Sequence, residues 1–295
     1  MRVTAAQVYR SQLRQLRRKS TDSARAQEVA SSGRRILQPS DDAVGAARSL
    51  RIRGMRGDVE TARSKIETAG RELGLTEGAL GSMTDVLSRA RTLAVQLANP
   101  IADAGDRAAA ASEVEGMRSE LLALGNTSVA GRRLFGGSQV GTDPFDAAGN
   151  YQGDSSVVSM GVYTTASVQV TLDGAAVLSG TGGGPDILQA LDDLATALLA
   201  NDTSAVANEL TPLAEGIEWI TQQRSLIGSR MSLIDGLDDH LSTLEVQLID
   251  EQSTVEDADM LLAYSELTRT KTAFEAVLQV TAAARTSDVF QLLGV

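Results

Sequence analysis

Two long runs of apolar residues, one in each half of the chain, constrain the fold more than any other feature. In the first run, twelve positions between residues 59 and 97 follow alternating steps of three and four, and eleven of them are apolar. In the second, Leu and Ile recur at every seventh position from Leu213 to Leu248. This spacing is typical of helices that pack along narrow seams. At about 1.5 Å per residue the first helix would be about 60 Å long.

Each apolar seam needs a partner, and the middle of the chain has a different pattern. Glycines recur from residue 131 to 184, Val157–Tyr163 is a strand candidate, and Val168, Val170 and Leu172 alternate before a hairpin-turn signal at Asp173–Gly174. We therefore predict a mainly α protein. Both chain ends form a long antiparallel coiled-coil or helical-bundle rod, with a small β-rich inserted domain.

The ends of the predicted helices are marked by glycine, proline and capping residues. Gly33 ends a first helix, Ser40 is the predicted N-cap of the next, and Asp41 and Asp42 would lie in its first turn. Asn99–Pro100 ends the long helix, and helix returns at Pro185–Asp186. Two further boundaries follow from the same kind of signal: a shorter helix closes at Gly125, and Pro212 lies in the first turn of the C-terminal helix.

Gly70, Gly74, Gly78 and Gly81 interrupt the middle of the first long seam. Each costs roughly 1 kcal/mol relative to alanine in a helix. They are either drift in a sequence with stability to spare, or they admit a close neighbour and let the helix bend. The sequence leaves both explanations open.

Residue types that carry catalysis or bind cofactors are scarce. The chain has no cysteine, and its one histidine, His240, follows two aspartates in a helical stretch and is expected to be exposed. Gly136–Gly137 and the later glycine cluster lack the Lys-Ser/Thr of a phosphate-binding loop, and neither Asp192–Asp193 nor Asp257–Asp259 has calcium-loop spacing. We expect no enzyme activity, no cofactor and no metal. No apolar run reaches the roughly 18 residues of a membrane span.

The net charge of −11 is unevenly distributed. Residues 1–71 hold 16 basic and 7 acidic side chains, a net +9, and the rest carries −20. A nucleic-acid-binding arm and a transit peptide are two possible explanations. The favoured one is that this basic end lies against acidic surface of the same chain or of a neighbour.

Both chain termini carry apolar residues that an isolated helix would leave exposed. Lone helices are marginal in water, so we expect these residues to form an assembly interface. The predicted interface residues are Tyr9, Leu13, Leu16, Phe274, Leu278, Phe290, Leu292 and Leu293.

Several short motifs resemble those of bacterial flagellins and their hook-associated relatives. They are Ser31-Ser32-Gly33-Arg34-Arg35-Ile36 with Pro39-Ser40-Asp41-Asp42-Ala43, then Asn126-Thr127, Leu134-Phe135-Gly136-Gly137, Pro144-Phe145 and Tyr151-Gln152-Gly153-Asp154, and finally Gly228-Ser229-Arg230-Met231 and the segment from Asp257 to Leu293. The positions taken as family motif residues are Ser32, Gly33, Asp41, Asp42, Phe135, Gly136, Gly137, Tyr151, Gly153 and Asp154. Within the family, the succession in the insert is most similar to the hook–filament junction proteins, whereas Ala43-Val44-Gly45 after the paired aspartates leans towards flagellin.

The resemblance implies a structural role in the bacterial flagellum. It implies terminal coiled-coil helices (1–40 with 256–295), a helical-bundle domain (41–130 with 185–255) and an outer insert (131–184). The implied partners are copies of the chain, the first hook-associated protein, flagellin, an export chaperone and the type III export apparatus, with neither nucleic acid nor membrane. The implied location is secreted and extracellular. The alternatives are a short flagellin and, from another class, a cytoplasmic coiled-coil scaffold.

Overall fold

The computed structural model describes residues 5–129, 131–139, 141–163 and 166–292, and within these ranges the side chains of 5–6, 8–9, 182 and 284–292 are left aside. Helices dominate the described residues. They are α1 (Ala5–Ser32), α2 (Ala43–Leu97), α3 (Ala104–Gly125), α4 (Gly174–Leu178), α5 (Ile187–Leu199), α6 (Thr203–Asn208), α7 (Leu210–Glu256) and α8 (Met260–Leu292). The strands are β1 (Ser128–Val129), β2 (Arg132–Arg133), β3 (Ser159–Tyr163) and β4 (Ala166–Gln169).

The helices form where the apolar spacing predicts them. All twelve seam positions from Val59 to Leu97 are buried, and so are the six heptad positions from Leu213 to Leu248. The one polar seam residue, Thr76, is satisfied because its hydroxyl donates to the Glu72 carbonyl at 2.9 Å. The prediction of a mainly α fold with long helices and small sheets is confirmed.

The chain clusters into two compact units. The described residues up to Asp58 and from Leu244 onward form unit 1, and Val59–Thr243 form unit 2, so α2 and α7 contribute to both. The insert lies in unit 2. The three-layer division inferred from the sequence stays a prediction.

In unit 2, α2 and α7 run antiparallel. Arg63 lies 3.1 Å from Asp238, and Glu77 lies 2.5 Å from Arg224, so positions rising along α2 meet positions falling along α7. Helix α3 packs against α5. The buried Arg107 links α3 to the C-terminal end of α2, because it donates to the carbonyls of Leu97 and Asn99 at 2.9 and 2.8 Å.

The two small sheets lie between residues 128 and 169. β1 pairs antiparallel with β2, and β3 pairs antiparallel with β4, as the candidate strand at Val157–Tyr163 indicated. Val168, Val170 and Leu172 are buried, so the predicted alternation is confirmed.

The predicted hairpin turn at Asp173–Gly174 is wrong. The Asp173 side chain accepts a hydrogen bond from the Ala175 amide at 3.0 Å and thereby caps the short helix α4. Aspartate accepts from a nearby backbone amide in turns and at helix N-termini alike, so the dipeptide alone does not separate the two.

The predicted N-cap of α2 is also wrong by two residues. The helix begins at Ala43, and the Asp42 carboxylate accepts from the Gly45 amide at 2.8 Å. Ser40 lies instead in the turn closed by the Asp41 amide and the Gln38 carbonyl, 2.9 Å apart. The other predicted helix ends are confirmed: α1 ends before Gly33, which has φ +69°, α2 ends before Asn99, α3 closes at Gly125, Asp186 caps α5, and Pro212 lies in the first turn of α7.

The glycines of the long seam leave α2 unbroken. A Cβ atom built on Gly70, Gly74 or Gly78 would meet nothing within 4 Å outside its own turn. Among the described residues, no close approach therefore requires glycine at these three positions, and either a neighbouring molecule or drift explains them.

Candidate assembly site

The connection between α1 and α2 and the connection between α7 and α8 are tied together in unit 1. The Arg35 amide donates to the Glu256 carbonyl at 2.7 Å, and the Ala258 amide donates to the Gly33 carbonyl at 2.8 Å. Gly33 can turn the chain here because its left-handed conformation carries no Cβ penalty. We call residues 32–42 with Ser49, Arg53 and 255–258 the connector site.

A buried carboxylate lies at the centre of the connector site. The Glu256 side chain is 4% exposed and accepts hydrogen bonds from the Ser49 hydroxyl and from Arg53 at 2.8 and 3.1 Å. Arg34 approaches it to 3.7 Å. Burial alone would raise the pKa of Glu256, but the hydrogen bonds from Ser49 and Arg53 outweigh it and lower the pKa to about 2. The group is therefore a structural anion.

The paired aspartates of the family motif hold the other side of the connector site. Asp41 accepts from the amides of Leu37 and Gln38 at 3.0 and 3.1 Å and pairs with Arg25. Burial would raise the pKa of Asp41, but the two amides and the Arg25 guanidinium lower it. The Gly45 amide is the largest factor that lowers the pKa of Asp42, which also pairs with Arg35 at 3.3 Å.

Ser32 and Gly33 complete the predicted motif positions at this end, since the Ser32 hydroxyl accepts from the Arg34 amide at 3.2 Å. The connector site therefore brings Ser32, Gly33, Asp41 and Asp42 together. Sequence reasoning did not find Glu256. Its carboxylate lies near Arg34 and its backbone carbonyl accepts from the Arg35 amide, so it adjoins the motif residues. The available signal was an acidic residue at the end of a heptad helix, followed at once by the Asp257 motif.

The motif residues of the insert form a second cluster, in unit 2. The Tyr151 hydroxyl lies 2.9 Å from the carbonyl oxygens of both Phe135 and Asp154. Asp154 accepts from the amide and hydroxyl of Ser138. Burial and the nearby Asp173 carboxylate raise the pKa of Tyr151 to about 12. These groups fix a loop conformation by satisfying backbone groups.

Glycine is required at two of these motif positions. Gly137 has φ +67°, and a Cβ there would collide with Asp154. A Cβ on Gly153 would collide with the Tyr151 ring, 2.5 Å from Cζ. Gly136 pairs with Asp173 in an isolated antiparallel β-bridge, and the Phe135 side chain is fully buried. The sequence-predicted motif residues of the insert are thus brought together.

The terminal helices α1 and α8 pack antiparallel in unit 1. A groove of about 370 Å³ lies between them, with Val29 near Ala263 at one end and Lys19 near Ala273 at the other. Among the described side chains, the buried seam residues are small or polar: Ala26 and Ala30 on α1, and Ala263, Thr270 and Thr281 on α8. This seam is much less apolar than the seams of unit 2.

The predicted interface residues have different positions in this pair. Leu13, Leu16 and Phe274 are half-buried along the seam, whereas Leu278 is exposed. The side chains of Tyr9, Phe290 and Leu292 lie outside those described, and Leu293 lies outside the described residues altogether. Their role in assembly stays a prediction.

Helix α8 presents further apolar side chains to solvent. Leu261, Leu262 and Val280 are 80%, 65% and 63% exposed, and Tyr264 is 56% exposed. At about 100° per residue, Leu262 and Val280 lie on one flank of the α1-facing seam, Tyr264 lies on the other flank, and Leu261 lies on the opposite side of the helix. One partner helix therefore leaves part of the apolar surface of α8 uncovered.

Groups for other chemistry are not assembled in the described ranges. His240 is exposed, as expected. No group of three or more metal-ligating side chains lies together among the described residues, and no described helix is both long and apolar enough to cross a bilayer.

Comparisons with known proteins agree with the arrangement of the helices. The models of the bacterial flagellin N-terminal and C-terminal helical regions match residues 3–140 and 210–293. The flagellar hook-associated protein 3 of Escherichia coli is 22% identical over 99% of this chain and 99% of its own length. A Bacillus subtilis flagellin is 26% identical over 95% and 96%.

A solved structure of Bacillus cereus FlgL superposes with a TM-score of 0.62 at 25% identity, covering 69% of this chain and 99% of the other. The two flagellin models cover both helical ends on either side of the insert, where α1, α2 and α3 and then α7 and α8 lie. The chain belongs to the bacterial flagellin family.

Proposed function

We propose that this chain is a structural component of the flagellum that forms the junction layer between hook and filament. The observation that carries the proposal is the end-to-end similarity to a hook-associated protein 3, which leaves no part of either chain unmatched beyond about 1%. In this role the chain acts by packing and has no catalytic step. Its partners are further copies of itself, the first hook-associated protein on the hook side and flagellin on the filament side.

The exposed apolar surface of α8 supports self-assembly. Leu261, Leu262 and Val280 would each gain roughly 1.5–3 kcal/mol on being covered by a neighbour. Together with the interface residues predicted from the sequence, they extend a terminal coiled-coil layer formed by residues 1–40 and 256–295. The bundle (41–130 with 185–255) and the insert (131–184) would form the layers outside it.

The proposal places the chain outside the cell, after export by the flagellar type III apparatus with the help of a chaperone. The lack of cysteine suits passage between reducing and oxidising compartments. Export is tested by assaying the medium of a hook-bearing strain for the chain.

Imaging a strain that lacks this chain tests the junction role. We expect hooks without filaments and flagellin monomers shed into the medium. Filaments of normal length on such a strain would contradict the junction role.

A short flagellin is the second candidate, and the nearly full-length match to the Bacillus subtilis flagellin favours it. The two candidates differ in copy number. A junction layer needs a few copies per flagellum, whereas a filament needs thousands, so quantitative immunoblotting of isolated flagella separates them.

Deleting residues 290–295 tests the terminal layer. We expect a soluble, folded chain that no longer assembles. The matched control is Ala147→Ser with Ala148→Ser, at two exposed positions of the insert, with folding followed by circular dichroism. Normal filaments with the C-terminal truncation would contradict the role of this end.

A further inference from the structure

Helix α1 presents four arginines on the side opposite its partner helix. Arg10, Arg14, Arg17 and Arg18 are all exposed. At 3.6 residues per turn they fall within about 100° of one another. The residues that face α8, such as Ser23, Ala26 and Ala30, lie on the opposite side of the helix. We call these four side chains the arginine face.

The arginine face differs from the other arginines of the basic N-terminal region. Among the residues that the structure describes, none of its four side chains forms an ion pair. Further along the chain, Arg25, Arg35 and Arg48 pair with Asp41, Asp42 and Glu251. In the basic N-terminal region, the later arginines thus lie against acidic side chains of the same chain, as expected, whereas the four of the arginine face do not.

Four like charges within nine residues of one helix repel one another unless something compensates them. The rest of the chain offers compensation, since residues 72–295 carry a net charge of −20. Asp235, Asp239 and Asp250 on α7 and Glu275 on α8 are exposed and form no ion pair within the described residues. A second copy would therefore bring exposed carboxylates that the first copy does not place against its own arginine face.

We infer that the arginine face binds exposed carboxylates of a second copy of this chain and sets the lateral contact between neighbouring subunits. The inference rests on the proposed self-assembly and adds which surface makes the contact. Charged contacts of this kind orient partners and exclude wrong registers more than they add affinity. For α1 and α8, whose shared seam is weakly apolar, such charged contacts would determine which surface of a neighbour they bind.

Nucleic acid and an anionic lipid surface are two other occupants that a cluster of arginines could bind. Stacking contacts to bases would need aromatic side chains, and Arg10 to Lys19 contains none. Both occupants are nevertheless distinguished in the test below.

The first test reverses charges of the arginine face in the full-length chain. The variant is expressed in a strain that lacks the wild-type chain. We expect Arg14→Glu with Arg17→Glu to give about tenfold fewer attached filaments, since repulsion replaces attraction. Arg14→Lys with Arg17→Lys should retain them. The matched control is Lys65→Glu with Arg91→Glu, which reverses two exposed cations of α2 that form no ion pair among the described residues. The control should retain filaments.

Filament counts equal to wild type in the Arg14/Arg17 reversal overturn the inference while leaving the junction role intact. Failure of the wild-type chain itself to restore filaments overturns the proposed function. The amount of each variant in the medium separates a loss of export from a loss of assembly.

The second test identifies the occupant with the arginine face almost intact. A photo-crosslinking benzoylphenylalanine at position 18 is irradiated in cells with completed hooks. We expect a product of twice the 30.9 kDa chain mass. A product containing nucleic acid or lipid, a product with another protein alone, or no product overturns the inference. This test also decides the matter if the charge reversal blocks export.

Discussion

The two antiparallel helix pairs of this molecule, α2 with α7 and α1 with α8, are built from the same period but different side chains. In unit 2 the buried seam positions of α7 are Leu and Ile, and those of α2 are mainly Leu, Ile, Met and Val with four alanines and Thr76 between them. Leu80, Met83 and Ile227 are fully buried. In the terminal pair the buried positions among the described side chains are Ala and Thr, without such large apolar residues. Period determines which face packs, whereas side-chain volume determines how strongly it packs. We therefore expect α1 and α8 to pack more weakly against each other than α2 packs against α7.

The largest expected effect is in the seam of unit 2. Leu80→Ala should destabilise the chain by about 2–5 kcal/mol, because it leaves a cavity in a fully buried seam. Leu16→Ala, in the half-buried terminal seam, should cost about 1 kcal/mol or less. Urea unfolding of both variants measures the difference. Equal losses would show that the two seams contribute alike.

The connector site should show the next largest effect. Glu256→Gln should cost about 2 kcal/mol at pH 7, because it removes the charge that Arg53 and Ser49 hydrogen-bond. The folded pKa of Glu256, about 2, lies below its ordinary value of 4.5. Its stabilisation is therefore complete above pH 4.5 and is lost as the pH falls towards 2.

Measuring the free energy of unfolding between pH 7 and pH 2.5 checks this dependence. The wild type should lose stability over this range by more than Glu256→Gln does, because the variant has no carboxylate to protonate. Glu275→Gln, at an exposed position, is the control and should follow the wild type. Parallel curves for wild type and Glu256→Gln would refute the role of this carboxylate.

The insert should respond more weakly. Tyr151→Phe should cost about 1 kcal/mol, since it removes the hydroxyl that contacts the Phe135 and Asp154 carbonyls. The raised pKa of Tyr151, about 12, favours the neutral phenol in the folded state, so its stabilisation is complete below pH 10 and is lost as the pH rises towards 12. Ultraviolet titration of the wild type and of Tyr151→Phe should differ by one tyrosine that ionises near pH 12. Tyr163→Phe serves as the control for the stability change, and a difference that instead lies near pH 10 would contradict the contact.

The smallest expected effect is a gain. Gly74→Ala and Gly78→Ala should each stabilise α2 by about 0.5–1 kcal/mol, because a Cβ meets nothing there and alanine favours helix. Gly125→Ala should destabilise instead, because its Cβ would lie 2.9 Å from Phe145. Thermal unfolding distinguishes these outcomes. If the α2 variants are more stable but fail to assemble, then the glycines admit a neighbouring molecule.

The seams could be predicted from the sequence because a period of three and four identifies the buried face without knowledge of the partner. Every seam position between Val59 and Leu97 was found in this way. The connector site could not be predicted, because Glu256 meets Ser49 and Arg53 across about 200 residues of chain. Residue type did not decide between Ser40 and Asp42 as cap, because serine and aspartate both accept hydrogen bonds from amides of the first helical turn.

In the insert, too, some features could be predicted from the sequence and others could not. Its motif residues were picked out by resemblance, and the reason for Gly137 and Gly153 became visible only with the positions of Asp154 and Tyr151. The Asp173–Gly174 error arose because one hydrogen-bonding preference of aspartate serves both turns and caps.

Hydrogen exchange of backbone amides in the dilute free chain and in isolated hook–filament particles tests the central contrast most directly. The account predicts strong protection of α2 and α7 within Val59–Thr243 in both samples. In α1 and α8, protection should be weak in the free chain and strong after assembly. Protection of α1 and α8 in the free chain equal to that of α2 and α7 would contradict it.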